Sequence, residues 1–232
     1  MSKGVLKGNI MNTKQLAGEK AVEYVQDGML VGLGTGSTVH YTILKLGELV
    51  KNGLKIKGIP TSIRTENLAR ELGIPLISFA DADTLDVCID GADELNAKLE
   101  LVKGGGGALL REKLVAAASR KFIVVADATK KVETLGKFPL PVEIVQFAWE
   151  TTFRRVAALG INPKMRMNDA QPYITDTGNY IFDCAAGEIT DAPALNRELK
   201  MMPGVVETGL FIAMADVAIV AGESDIEVLS RT

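Results

Sequence analysis

A single histidine, His40, stands in the whole chain. One imidazole cannot build a His-rich zinc site. A Ser-His-Asp triad would have to use it, yet no G-x-S-x-G nucleophile elbow is present. Acid–base chemistry therefore falls to carboxylates and lysines. Cysteine is nearly as scarce: Cys88 and Cys184 lie far apart, form no C-x-x-C pair and sit in apolar runs. They read as buried thiols, and no disulfide framework is implied. No apolar run approaches the roughly 20 residues that span a bilayer. Met1 to Asn12 has two lysines but no apolar h-region, so no signal peptide is expected. Basic charge is not in excess: 26 Lys and Arg face 29 Asp and Glu, a net charge of −3. That balance argues against a general nucleic-acid binder but leaves room for a local basic pocket. The expectation is a cytoplasmic protein that binds neither nucleic acid nor membrane.

What is present is an ordinary globular composition, with 24% charged residues in 232, enough chain to bury a sizeable core. The first half alternates helix-like and strand-like stretches. Residues 14–27 read as a helix and Met29–Leu33 as a buried strand. Helix follows over Thr38–Lys51, strand over Lys55–Ile59, and helix over Thr65–Leu72, stopped by Gly73 and Pro75. Leu76–Phe79 and Leu85–Ile89 read as further strands, Ala108–Ser119 as a helix and Phe122–Ala126 as a β-branched strand. This alternation implies βαβ units and a doubly wound, mostly parallel, Rossmann-like sheet.

After about Gly136 the pattern changes. Phe138-Pro-Leu-Pro-Val142 looks like a boundary. Strands are expected at Val142–Val145, Lys164–Met167 and Val205–Glu207, with helices at Phe147–Leu159 and Ala192–Met201. Tyr173–Thr175 and Tyr180–Cys184 flank the hairpin signal Asp176-Thr-Gly-Asn179. A smaller α+β domain of split-βαβ, ferredoxin-like type is expected over 137–206. It is inserted into a Rossmann-like domain of 1–136 and 207–232, to whose sheet Asp216–Val220 returns.

Ligands of open α/β sheets bind outside the carboxyl ends of the strands. Polar motifs gather at those ends here. Gly32-Leu-Gly-Thr-Gly-Ser-Thr38 joins a strand to a helix, where glycines admit an anion and amides point at it. The dinucleotide fingerprint needs glycine where Ser37 stands, and the Walker lysine is missing. A tight turn, or the loosely similar first motif of S-adenosylmethionine methyltransferases, are the other readings. The methyltransferase would want an acidic residue after the second strand, where Pro60-Thr-Ser62 stands. Asp90-Gly-Ala-Asp93-Glu94 puts three carboxylates at one strand end. They could bind sugar hydroxyls, move protons between oxygens, hold a hard cation or form a solvated acidic turn.

Lys103-Gly-Gly-Gly-Gly107 runs straight into the helix that holds Arg111, Glu112 and Lys113. Four glycines cost backbone entropy, and their amides can nest a developing oxyanion beside Lys103. Leu110, Leu114 and Ala117 are expected to form that helix's apolar stripe, with Glu112 off it and free to act as a base. A first-turn glutamate favoured by the helix dipole is the bland alternative. Asp127-Ala-Thr-Lys130 and Thr61-Ser62 follow two further strands.

Taken together and in order, these motifs resemble the type A ribose-5-phosphate isomerase family, as do Lys137-Phe-Pro-Leu-Pro-Val-Glu143 and Pro203-Gly-Val205. The resemblance covers nearly all the chain after about Lys14, and the Met1–Thr13 leader has no placed counterpart. It implies isomerisation of a small phosphorylated pentose, with Glu112 as proton acceptor. It further implies substrate contacts from Thr35, Gly36, Ser37, Thr38, Asp90, Gly91, Ala92, Asp93, Lys103, Gly104, Gly105, Gly106 and Lys130, with Lys14 near the phosphate. Asp90 would carry the ring-opening proton, and Asp93 would order Lys103. No metal or organic cofactor is implied, and a homodimer is. Two other classes share the broad fold: sugar-sensing regulator domains, which would not need Glu112 beside the glycines, and coenzyme A transferases, which would use a covalent glutamate.

Overall fold

The computed structural model describes residues 12–231. Most of the expected leader, residues 1–11, lies outside that range. The central sheet has six strands in the order Ile226–Ser230, Val217–Ala221, Phe122–Asp127, Val87–Gly91, Leu30–Leu33 and Lys57–Pro60. All neighbours are parallel except the Ile226–Ser230 edge, which pairs antiparallel with Val217–Ala221. Period-two alternation divides the Phe122–Asp127 strand between two cores. Ile123 and Val125 pack on one face with the first three helices, and Phe122, Val124 and Ala126 on the other with Val115 and Phe211. The first three helices are Thr13–Ala21, Val39–Lys51 and Ile63–Glu71. Asn12 and Ser62 cap the first and third by accepting from Gln15 N and Thr65 N.

A second sheet, with strands in the order Val205–Thr208, Leu140–Ile144, Tyr180–Cys184 and Pro163–Met165, is antiparallel throughout. Helices Trp149–Ala157 and Ala192–Lys200 complete a strand–helix–strand–strand–helix–strand sequence. Trp149, Phe153 and Phe182 meet edge to face beneath it, with centroids 5.5–6.4 Å apart.

Several elements differ from expectation. Leu76–Phe79 forms no strand, and only Leu76 bridges to Gly58. Lacking a continued partner, the run stays a connection whose Phe79 is exposed. Tyr173–Thr175 is irregular, although the turn that follows closes through Thr175 and Gly178. Three short pieces, Glu94–Leu95, Leu101–Val102 and Leu210–Phe211, form an unforeseen antiparallel sheet, and the Ile226–Ser230 edge was also unforeseen. Two- to five-residue pairings with few apolar alternations leave little trace in sequence. The Leu109–Ala117 helix buries a different face from the expected stripe of Leu110, Leu114 and Ala117. Leu114 is 56% exposed, while Leu109, Glu112, Val115 and Ala116 are the buried face. The buried face includes a carboxylate, and that is what misleads a purely apolar count.

Candidate active site

The strands Leu30–Leu33 and Val87–Gly91 are neighbours, but the chain leaves them in opposite directions across the sheet. Their carboxyl ends flank the switch point where such sheets bind ligands. Here the two expected loops touch. Gly34 N donates to Ile89 O at 3.0 Å, and Thr35 N donates to Asp90 Oδ1 at 2.9 Å. A side chain at Gly34 would fall 2.4 Å from Asp90 Oδ1, so only glycine permits the approach.

A cleft of about 100 Å³ opens above this contact. It is lined by Thr35, Gly36, Ser37, Thr38, Gly91, Ala92, Asp93, Lys103, Gly104, Gly106, Glu112 and Lys130. Lys14 stands at its edge, with Nζ 3.1 Å from Ser37 Oγ. Lys130 ends a short 3-10 turn whose cap is Asp127, which accepts from Thr129 N. Besides Lys14, two expected contact residues are not in the wall. Asp90 is fully buried, and the Gly105 amide is already committed to Asp93 Oδ2 at 2.7 Å.

Lys103 sits at the back, 2% exposed, between two carboxylates. Its Nζ lies 3.2 Å from Asp90 Oδ2 and 3.4 Å from Glu112 Oε2, and it donates to Gly91 O. Neither carboxylate oxygen has an aligned hydrogen bond, so these contacts are ionic and leave lone pairs free. The expectation that Asp93 orders Lys103 is corrected: Asp90, Glu112 and the Gly91 carbonyl do so, while Asp93 holds the glycine loop.

One cation between two buried carboxylates leaves negative charge in excess. Burial, opposed by Lys103 and reinforced by Asp90, pushes Glu112 up to about 8. Burial raises Asp90 too, against Lys103 and the Thr35 and Gly91 amides. Burial works to lower Lys103, but the fields of Asp90 and Glu112 outweigh it and raise that ammonium above its ordinary value. A buried carboxyl tuned toward neutral pH, on a cleft wall, is suited to accept and return a proton.

Some contributors escaped the sequence reading. The Thr35 hydroxyl meets Thr61 Oγ1 and Ser62 Oγ, each at 2.7 Å, and Thr65 Oγ1 at 3.1 Å. That buried hydroxyl cluster braces the first loop. In the sequence only their position after a strand marks Thr61 and Ser62, and nothing marks Thr65. Lys113 Nζ donates to the Thr208 and Leu210 carbonyls and pairs with Glu207, tying the Leu109–Ala117 helix to the returning chain. Arg166, gripped by Asp183 of the second sheet, reaches the glycine loop, and nothing in the local sequence of either residue announces it. Among the described residues, no group of three His, Cys, Asp or Glu is placed to hold a metal ion. No helix among them is long and apolar enough to cross a membrane.

Residues 57–225 match the family described as Ribose 5-phosphate isomerase A (phosphoriboisomerase A). A "Ribose-5-phosphate isomerase A" of Bacillus mycoides (strain KBAB4) is 54% identical over 219 residues, covering 94% of this chain and 99% of that protein. A D-ribose-5-phosphate isomerase solved in complex with phospho-erythronic acid superposes with a TM-score of 0.92 at 38% identity, covering 96% of this chain and all of that one. The ribose 5-phosphate isomerase of Plasmodium falciparum superposes at 0.91, with 39% identity over 94% of this chain and 97% of that one.

Proposed function

This chain belongs to the ribose 5-phosphate isomerase A family and interconverts ribose 5-phosphate and ribulose 5-phosphate, and on that premise we propose how its residues divide the reaction. The observation that carries the proposal is Glu112. Its carboxylate is 3% exposed, faces the cleft, keeps Oε2 free of hydrogen bonds and is pushed up to about 8.

The pentose phosphate enters with its phosphate at the Gly36-Ser-Thr38 turn, where backbone amides, the Ser37 and Thr38 hydroxyls, Lys14 and Lys130 supply donors and positive charge. Anchoring that remote end uses binding energy to orient the carbonyl end. Ring opening needs a group that carries a proton between sugar oxygens. Asp90 is assigned that step by relay: Lys103 Nζ on the cleft wall gives a proton to the ring oxygen, Asp90 at 3.2 Å restores it, and the proton of the anomeric hydroxyl returns to Asp90 by the same route. Ionised Glu112 then takes the C2 proton from the open aldehyde. The electron pair moves through the C1–C2 bond onto the carbonyl oxygen, giving an enediolate. Lys103 and the Gly104 and Gly106 backbone line the same wall and meet that charge. A proton shifts between the two oxygens, Glu112 returns its proton to C1, and the ketose results.

The architecture is read as a Rossmann-like domain of residues 1–136 and 207–232 with a ferredoxin-like unit over 137–206. The chain is proposed to act as a cytoplasmic homodimer without a metal or organic cofactor, contacting neither nucleic acid nor membrane. The direct test is a coupled assay of ribulose 5-phosphate formation. Glu112→Gln should lose turnover while substrate affinity holds, and normal turnover in that variant would remove Glu112 from the mechanism.

A further inference from the structure

Four consecutive glycines form the least constrained backbone in the chain, yet the reaction needs their peptide units held in one orientation. Within the loop itself little supplies that order. Gly104 and Gly107 adopt φ of +107° and +79°, and one turn bond joins Gly107 N to Gly104 O at 3.0 Å. Asp93 holds the Gly105 amide, and a further restraint comes from 62 residues away. Arg166 lies between two strands of the second sheet region, with its own backbone tied on both sides. Its N–H donates to Ile181 O, and its carbonyl accepts from Tyr173 N.

The Arg166 side chain is only 14% exposed, and its donors are divided in two. Nε and Nη2 grip the Asp183 carboxylate as a fork, Nε at 2.9 Å from Oδ2. Nη1 donates to two successive carbonyls, Gly104 O at 2.9 Å and Gly105 O at 3.3 Å. The carbonyl and N–H of a trans peptide unit point in opposite directions. A guanidinium that draws both carbonyls to one side therefore turns the amides of Gly105 and Gly106 to the other. The Gly105 N–H indeed meets Asp93, a residue of the cleft wall, and Gly106 lines the cleft.

We propose that Arg166, held by Asp183, is a positioning residue for the isomerisation: it fixes the peptide planes of the tetraglycine loop so that the Gly106 amide faces the reacting end of the sugar and Asp93 is kept beside it. The inference rests on the isomerase reading above. The guanidinium also polarises the two peptide units whose amides serve the cleft. Lysine cannot replace it, because a single ammonium cannot hold a carboxylate fork and two carbonyls in one plane. Tyr173 closes the seat. Its ring lies 5.9 Å from the guanidinium carbon, and its hydroxyl stands where a side chain at Gly107 would be. The second sheet thereby supports the chemistry without touching substrate.

The test uses the full chain and the variants Arg166→Lys, Arg166→Met and Asp183→Asn. Ribose 5-phosphate turnover and hydrogen exchange of the Lys103–Gly107 amides are measured together. Misplacing a reacting group by about 1 Å can cost about a hundredfold, so kcat should fall about 10- to 100-fold in both Arg166 variants and less in Asp183→Asn. KM should stay within about threefold, because the phosphate is held elsewhere. Exchange of the loop amides should quicken about tenfold or more, since local opening governs it. Should Arg166→Met fail to fold, Arg166→Lys and Asp183→Asn carry the same comparison. Wild-type kcat with unchanged exchange would overturn the proposal, as would a rise in KM alone or full activity in Arg166→Lys. If the wild-type chain itself fails to isomerise ribose 5-phosphate, the functional reading falls first. If it turns over and the variants match it, only the role of Arg166 falls.

Discussion

Two glycine-rich loops face each other across the cleft, and different forces hold them. The Gly34–Thr38 loop is closed by its own sheet. Its amides bond to Ile89 and Asp90 on the next strand, the Thr35 hydroxyl sinks into a buried cluster, and the helix begins at Val39. The Lys103–Gly107 loop has left-handed glycines at both ends and leans on Arg166 and Tyr173 from the second sheet. A phosphate can be held by a local strand–turn–helix, because amides and a helix start already favour an anion. The reacting end needs a buried cation, a tuned carboxylate and oriented peptides at once, and no single local segment supplies all three. The division predicts that damage to the first loop raises KM and damage beside the second lowers kcat.

The largest effect should come from Glu112→Gln. The amide keeps the shape but cannot accept a proton, and kcat should fall by about 10²–10⁴ with KM little changed, read from steady-state kinetics. On the other loop, Lys14→Ala with Ser37→Ala removes charge-assisted contacts worth about 1.5–3 kcal/mol each. That double variant should raise KM by about 10²- to 10⁴-fold. An equal fall in kcat with KM untouched would break the proposed division.

The pH profile sharpens it further. As the proposed base Glu112 acts only when ionised, and burial pushes it up to about 8. Below that point kcat/KM should drop about tenfold per pH unit, and above it level off. A profile flat between pH 6 and 8 would contradict the raised value. Stability runs the other way. The folded pKa exceeds the ordinary 4.5, so the protonated carboxyl's contribution is complete below 4.5 and is lost as pH rises through about 8. The melting temperature of Glu112→Gln should therefore gain on wild type across that window.

A smaller effect belongs to Gly107→Ala. The residue holds φ at +79°, and an added Cβ would meet the Tyr173 hydroxyl at 2.3 Å, so folding stability should fall by about 1–3 kcal/mol in denaturant melts. Prolonged chelation should change the rate least of all. Loss of activity restored by Mg²⁺ would show that the acidic residues serve a cation instead.

Much of this was legible in the sequence because strand ends and glycine turns are local signals. Gly36, Ser37, Thr38, Asp93, Lys103, Glu112 and Lys130 all reach one cleft, as their positions after successive strands imply. What local patterns could not give is contact across distance. Asp90 and Asp93 lie three residues apart with the same chemistry, yet only the first touches Lys103, because Asp90 is buried within the strand and Asp93 stands half-buried in the bend that follows it. The true buried face of the Leu109–Ala117 helix was hidden because one of its members is a glutamate. Arg166 reads as an ordinary surface arginine until the second sheet is folded against the loop.

Glu94 is the natural control for Glu112. It is as buried as Glu112, but both its oxygens accept backbone amides, from Gly136 and Phe138. It is a structural carboxylate, and Glu94→Gln should cost stability rather than proton transfer. Exchange of the substrate C2 proton in deuterated water, followed by NMR for both variants, tests the assignment directly. Exchange should collapse with turnover in Glu112→Gln and persist, per folded molecule, in Glu94→Gln. Exchange at the wild-type rate in Glu112→Gln would contradict it.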